Sequence, residues 1–314
     1  MIDAQELNRL WQSYQLRVTD EIVRSPEVLF CNGSAIGTLG NFSASTGKAK
    51  SKKTFNVSAI LAAALTNGEV LRYIAEFPDD KRTILYFDTE QSPHHCQRVM
   101  KRALRLAGLP VDRHPENLIF AQLRALTSDL RLELIDNAIA NTPNVGLVII
   151  DGVRDLMFDI NNAIESSRLI GKLMEWTDKY QIHIHTVLHL NKSDDNVRGH
   201  VGTELNNKAE TVLQVCKSTT DSEVTEVSAS CIRSMDFPPF AFIVNESGLP
   251  EIAADYTFAG KSKVQTFSYS ELTPEQHRQS LEKAFANGAI KGCQNCEDSI
   301  KRAYAACGFP YGDG

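Results

Sequence analysis

Gly47, Lys53 and Thr54 stand in the octapeptide GKAKSKKT at the spacing of a phosphate-binding loop: Gly, four residues, then Gly-Lys-Ser/Thr. In such a loop backbone N–H groups wrap a phosphate chain, the lysine reaches its outer oxygens and the hydroxyl holds magnesium. Here Lys52 occupies the place of the second glycine. A frame ending at Gly47-Lys48-Ala49 would put Phe42 at the first glycine and lose the hydroxyl, so the frame ending in Lys53 and Thr54 is preferred. Gly47, Lys48, Lys52, Lys53 and Thr54 are the candidate cradle for a nucleoside triphosphate. Carboxylates close two apolar runs downstream. LVIID ends in Asp151, a candidate magnesium partner with Thr54, and YFDTE carries Asp88 and Glu90. Glu90 is the candidate general base that orients water. Taken alone, TEQSP reads more readily as the capped start of a helix.

These groups need strands and helices to bring them together. The stretch 27–46 is rich in small and β-forming residues and predicts a hairpin or two strands leading into the loop. Phe55, Ile60, Leu61, Ala64 and Leu65 recur at helical spacing after it, with Asn67-Gly68 as a stop. The loop therefore sits between strand and helix, where a helix N-terminus meets phosphate. RTILYFD and NVGLVIID read as buried parallel strands whose C-terminal ends face ligand. A helix over 163–180 leads to a strand QIHIHTVLHL that ends at His189, a candidate γ-phosphate sensor. His183 and His185 alternate with apolar residues and read as satisfied strand histidines. The polar, glycine-bearing segment 191–208 reads as a functional loop, with Lys192, Arg198, His200 and Lys208 as candidate contacts to a phosphodiester backbone. TVLQVCKS, VTEVSASCIRS and PFAFIVNESG extend the sheet in antiparallel fashion, with Arg233 near the second turn. An amphipathic helix over 3–16 precedes this core and short helices follow from about Ser268.

The expected fold class is therefore α/β: a mainly parallel central sheet flanked by helices, with an antiparallel extension and a small helical C-terminal segment. The boundaries expected are a helical segment over 1–26, the core over 27–262 and the C-terminal segment over 263–314. A chain of 314 residues with 42% hydrophobic and 23% charged residues has the makeup of a folded enzyme. A net charge of −6 argues against a uniformly basic nucleic-acid coat but leaves local basic loops free to hold phosphates. The N-terminus lacks the pattern of a signal peptide and no apolar run reaches the length of a membrane span, so a cytoplasmic protein without a membrane partner is expected. Seven scattered cysteines then read as reduced thiols. Cys293 and Cys296 form a CxxC pair that could bind zinc, but a tetrahedral site needs four ligands and only Cys307 and His277 are at hand in the same region, so two helix-borne thiols are the favoured reading. The final YGDG shows no capping pattern and leaves open whether the native chain runs past Gly314.

In sequence order, the phosphate loop, YFDTE, LVIID, VLHLNKS, RGHVGTEL and SCIRS resemble the ATPase core of the RecA/DnaB superfamily. The likeness is greatest to RepA-type hexameric plasmid replicative helicases and to related ATPases of bacterial mobile elements. It spans roughly residues 27–250. It implies a RecA-like P-loop NTPase core in which Lys53 binds the β- and γ-phosphates of ATP, Thr54 and Asp151 hold Mg2+, Glu90 activates water and His189 couples the γ-phosphate to a DNA-contacting loop. Arg233 matches the arginine that family members insert into a neighbour's site. The lysine expected two residues earlier is Cys231. The implied partners are single-stranded DNA and further copies of the chain in a hexameric ring. The function expected is a DNA helicase or translocase of a plasmid-type or mobile-element system, with ATP binding retained and turnover slow because of Lys52. The alternative is a non-translocating, ATP-binding regulatory or accessory DNA-binding protein.

Overall fold

The computed structural model describes residues 3–190, 199–258, 272–286, 288, 290 and 293–307. Its chain divides into two compact units, Met1–Ala254 and Asp255–Gly314. The first unit opens with helix α1 (Ala4–Ser13), whose N-cap Asp3 accepts a bond from the Glu6 amide. Strands β1 (Glu27–Cys31), β2 (Ser34–Thr38) and β3 (Phe42–Gly47) follow, then α2 (Lys53–Thr66). Two short strands, β4 (Glu69–Val70) and β5 (Tyr73–Ala75), lead to β6 (Thr83–Asp88), α3 (Pro93–Leu106), β7 (Leu118–Gln122), α4 (Ser128–Asn141) and β8 (Val145–Asp151). Helix α5 (Ala163–Tyr180), β9 (His183–His189) and α6 (Gly199–Lys208) precede the closing strands β10 (Thr211–Lys217), β11 (Thr225–Ile232), β12 (Phe240–Val244) and β13 (Pro250–Ile252).

Among the described residues the main sheet has nine strands in the order β13-β12-β11-β10-β3-β9-β8-β6-β7. From β10 to β7 the pairing is parallel, and β11 to β13 add antiparallel strands at one edge. This is the α/β arrangement of a RecA-like P-loop domain. β3 and β8 are buried at every position, as strands covered on both faces must be, which explains why LVIID reads as an unbroken apolar run. A smaller antiparallel sheet, β2-β1-β5-β4, lies beside α2, whose residues from Asn56 to Leu65 are all buried.

On one face of β3 and β9 the polar side chains are matched donor to acceptor. His183 Nδ1–H donates to the Thr38 carbonyl (3.0 Å), so its Nε2 accepts from Ser43 Oγ (2.7 Å). Ser43 Oγ in turn accepts from His185 Nδ1–H (2.8 Å), and His185 Nε2 accepts from Ser45 Oγ (2.9 Å). Both imidazoles are fully buried and neutral, and both are spent on structure.

One segment departs from expectation. Residues 199–208, read from sequence as part of a polar loop, form helix α6, because Val201 and Leu205 one turn apart bury on the α5 side of the core. The second unit contains α7 (Pro274–Ala284) and α8 (Cys293–Ala306); Thr273 and Gln276 cap α7 reciprocally. Among the described residues no helix is long and apolar enough to cross a membrane. No group of three or more His, Cys, Asp or Glu among them is placed to hold a metal ion, and the side chain of Cys293 lies outside the described residues.

Candidate active site

β3 delivers Gly47 to the C-terminal edge of the sheet, and the chain turns through residues 48–52 into α2. Gly47 is required by packing: a Cβ there would come within 2.1 Å of the Val215 carbonyl oxygen. Lys50 and Lys52 both adopt left-handed backbone, with φ of 65° each, and Lys52 is the N-cap of α2. The ammonium of Lys52 donates to the Glu223 carbonyl at 2.8 Å, in the turn between β10 and β11. Thus the residue at the second glycine position keeps a glycine-like backbone and commits its charge elsewhere.

Lys53 is almost buried at 5% exposure, and its Nζ donates to the carbonyls of Gly47 (2.7 Å) and Lys48 (2.9 Å). It also lies 3.0 Å from Nδ1 of His189, whose Nε2 is 3.2 Å from a Glu90 carboxylate oxygen. A neutral His189 protonated on Nε2 satisfies both contacts, accepting from Lys53 and donating to Glu90. Burial lowers the pKa of Lys53 to about 8 against the pull of Asp151 and Glu90. The hydrogen bond from His189 holds the Glu90 carboxyl below its ordinary range, with burial opposing.

Asp88 and Asp151 face each other in register across β6 and β8. Burial and the Asp88 charge push Asp151 up to about 7, while the Tyr86 hydroxyl, donating to Asp151 Oδ2 at 2.9 Å, works the other way. Asp88 plays a supporting part. Its oxygens accept from the amides of Glu90 (3.0 Å) and Gln91 (2.7 Å) and from the Gln91 side chain (2.8 Å), which fixes the turn that presents Glu90. Thr89 Oγ1, bonded to the carbonyls of Asp151 and Gly152, joins that turn to the end of β8.

Lys53, Thr54, Glu90, Asp151 and His189 line one cavity of about 400 Å³. The residues present fit a magnesium-bound nucleotide. Among the described residues Ser51 Oγ is buried without a partner beside Gly47, and α2 begins with no acidic residue in its first turn and no side-chain cap, leaving its amides for an anion. Sequence reasoning misses the opposite wall. Arg98 and Arg102, one turn apart on α3, line the same cavity, and the Arg102 guanidinium lies 3.7 Å over the Phe55 ring. Their spacing in HHCQRVMKRALRL is the available signal; their place depends on α3 packing against α2.

His200, Lys208 and Arg233 do not line this cavity. Lys192 and Arg198 fall outside the described residues. His200 is exposed at the start of α6, its amide on the Ile160 carbonyl, whereas Lys208 ends that helix about 12 Å away along its axis. Arg233 follows β11 and donates to the Lys208 carbonyl at 3.0 Å. The register Thr211↔Ile232 with Thr211↔Ser43 puts Arg233 at the N-terminal end of β3, opposite the loop that β3 carries.

Strand order, loop and paired carboxylates define a P-loop nucleoside triphosphatase domain of the RecA-like kind. A family model described as AAA domain matches residues 35–195, just over half of the chain, and the protein belongs to that family of ATPase-type domains. Comparison with curated proteins finds no significant match.

Proposed function

We propose that this chain hydrolyses ATP and works as a ring-forming motor on single-stranded DNA in the cytoplasm, a helicase or translocase of a plasmid-type or mobile-element system. The contact that supports it best is Lys53–His189–Glu90, which ties the phosphate loop, the end of β9 and the candidate base into one hydrogen-bonded unit. In this reading Lys53 leaves the Gly47 and Lys48 carbonyls for the β- and γ-phosphates. Thr54 and Asp151 hold Mg2+, which supplies charge neutralisation to the phosphates when bound. Glu90 takes the proton of the attacking water, and His189, losing Lys53 as a partner, passes that change to the segment that begins at Asn191. The amides of residues 48–54 wrap the triphosphate, and Ser51 adds a hydroxyl.

Arg233, at the far end of the sheet from its own loop, would serve a neighbouring copy of a hexamer, and Lys192, Arg198, His200 and Lys208 would contact DNA. Cys231, in place of a second cation near Arg233, favours the rival reading of an ATP-binding regulator without translocation.

The test is ATPase activity with and without single-stranded DNA on wild type and Lys53→Ala, with assembly followed by light scattering. The motor reading requires a DNA-stimulated rate that Lys53→Ala removes. ATP binding by wild type with no turnover on any DNA would leave the regulator in its place.

A further inference from the structure

Lys52 has no counterpart in the glycine-bearing pattern, and the structure gives its side chain a definite place. Its stem is largely covered, with 16% of the side chain exposed, and its ammonium lies 2.8 Å from the Glu223 carbonyl and 4.0 Å from the exposed Glu223 carboxylate. Glu223 belongs to a turn that is itself well bonded. The Ser218 amide donates to the Val224 carbonyl (3.0 Å), the Val224 amide to the Asp221 carbonyl (3.1 Å), and the Glu223 amide to the Asp221 side chain (2.9 Å). The phosphate loop therefore meets the β10–β11 hairpin at both ends, through Gly47 pressed on Val215 at its entry and through Lys52 at its exit.

The backbone explains why a brace is needed. A lysine with φ 65° and ψ 26° sits in the left-handed region that glycine enters freely and that a Cβ disfavours. Were the residue to relax to ordinary helical or extended dihedrals, the amides of Lys52, Lys53 and Thr54 would turn with it and the cradle would lose its shape.

We infer that Lys52 is a positioning residue: its ammonium, anchored on the Glu223 carbonyl, braces the last loop residue in the glycine-like conformation, and it is not a phosphate ligand. This rests on the reading of the cavity as an ATP site. The β10–β11 turn becomes part of the nucleotide site without touching nucleotide.

The experiment compares binding of a fluorescent ATP analogue by wild type, Lys52→Gly and Lys52→Met, with hydrogen exchange of segments 47–54 and 218–224 in each. Lys52→Met keeps the stem and the strained backbone but not the anchor, so affinity falls roughly tenfold and both segments exchange faster. Lys52→Gly needs no anchor, and its affinity stays within about threefold of wild type. An equal loss in both variants would make the charge a phosphate ligand and overturn the proposal, as would a Lys52→Met protein with wild-type affinity and exchange. Should wild type bind no ATP, the ATPase reading fails by itself, and exchange in the two segments still decides whether Lys52 braces the loop.

Discussion

Lowering the pH from 7.5 to 5.0 should destabilise this protein through its buried histidines, of which His185 carries a share that one variant can isolate. His185 is fully buried, both its nitrogens are engaged by Ser43 and Ser45, and burial brings its pKa down to about 3, the neighbouring His183 adding to the shift. Glu210 acts on His183 in the opposite sense, but among the described residues no carboxylate offsets the cost at His185. In the unfolded chain a histidine titrates near pH 6.5. The folded value is depressed, so above 6.5 both states hold the neutral ring and no stability is lost. As pH falls from 6.5 towards 3 only the unfolded chain takes up the proton, and the fold weakens at about 1.4 kcal/mol per pH unit. At pH 5.0 the loss is about 2 kcal/mol, or roughly a thirtyfold change in the folding constant.

Urea unfolding of wild type and His185→Gln at both pH values isolates this contribution, since the carboxylates titrate alike in the two proteins. Wild type should lose about 2 kcal/mol more than the variant between pH 7.5 and 5.0. Equal losses would overturn this account, because they would mean that the folded chain takes up a proton at His185 as readily as the unfolded chain does.

Three further outcomes follow from the site. Tyr86→Phe removes the hydroxyl from a buried carboxylate and should raise the Mg2+ concentration needed for ATP binding several-fold while leaving metal-free binding unchanged, as followed by titration with a fluorescent nucleotide. Gly47→Ala drives a methyl group into the Val215 carbonyl and should cost more than about 2 kcal/mol in chemical unfolding, together with ATP binding. Glu90→Gln keeps the turn that Asp88 caps and should retain ATP binding while lowering steady-state turnover about a hundredfold or more, as read by phosphate release.

The fold is legible in the chain alone where one interaction dominates. The strands ending in Asp88 and Asp151 are covered on both faces, so burial writes them as apolar runs with a polar terminus. The strand-to-helix setting of GKAKSKKT is legible from the small and β-forming residues before it and the helical spacing of Phe55, Ile60, Leu61, Ala64 and Leu65 behind it, and Lys53, Thr54, Glu90, Asp151 and His189 do share one cavity. Elements without strong periodicity leave a fainter trace. β7 is a half-exposed edge strand and α4 buries only Ile135 and Ile139; β4 and β5 are held by pairing with neighbours and not by their own pattern. Within the site, what stays hidden depends on order in space. The Tyr86 hydroxyl reaches Asp151 because β6 lies next to β8, and Lys52 meets Glu223, 171 residues further along the chain, because the β10–β11 hairpin stands beside the loop.

The histidines of β9 also constrain how the site can move. His183, His185 and His189 share a face with Ser43, Ser45 and Gly47, and in a strand a slip of one residue would carry all three to the opposite face. Such a slip would break the four hydrogen bonds that His183 and His185 make in the interior, and it would bring the apolar side chains of Ile184 and Leu188 round to the serines. β9 is therefore a fixed rail, locked by its interior half while its outer end carries His189 to the cavity. In the proposed function, the response of His189 to a bound phosphate would therefore be a rotation of its imidazole and not a translation of β9.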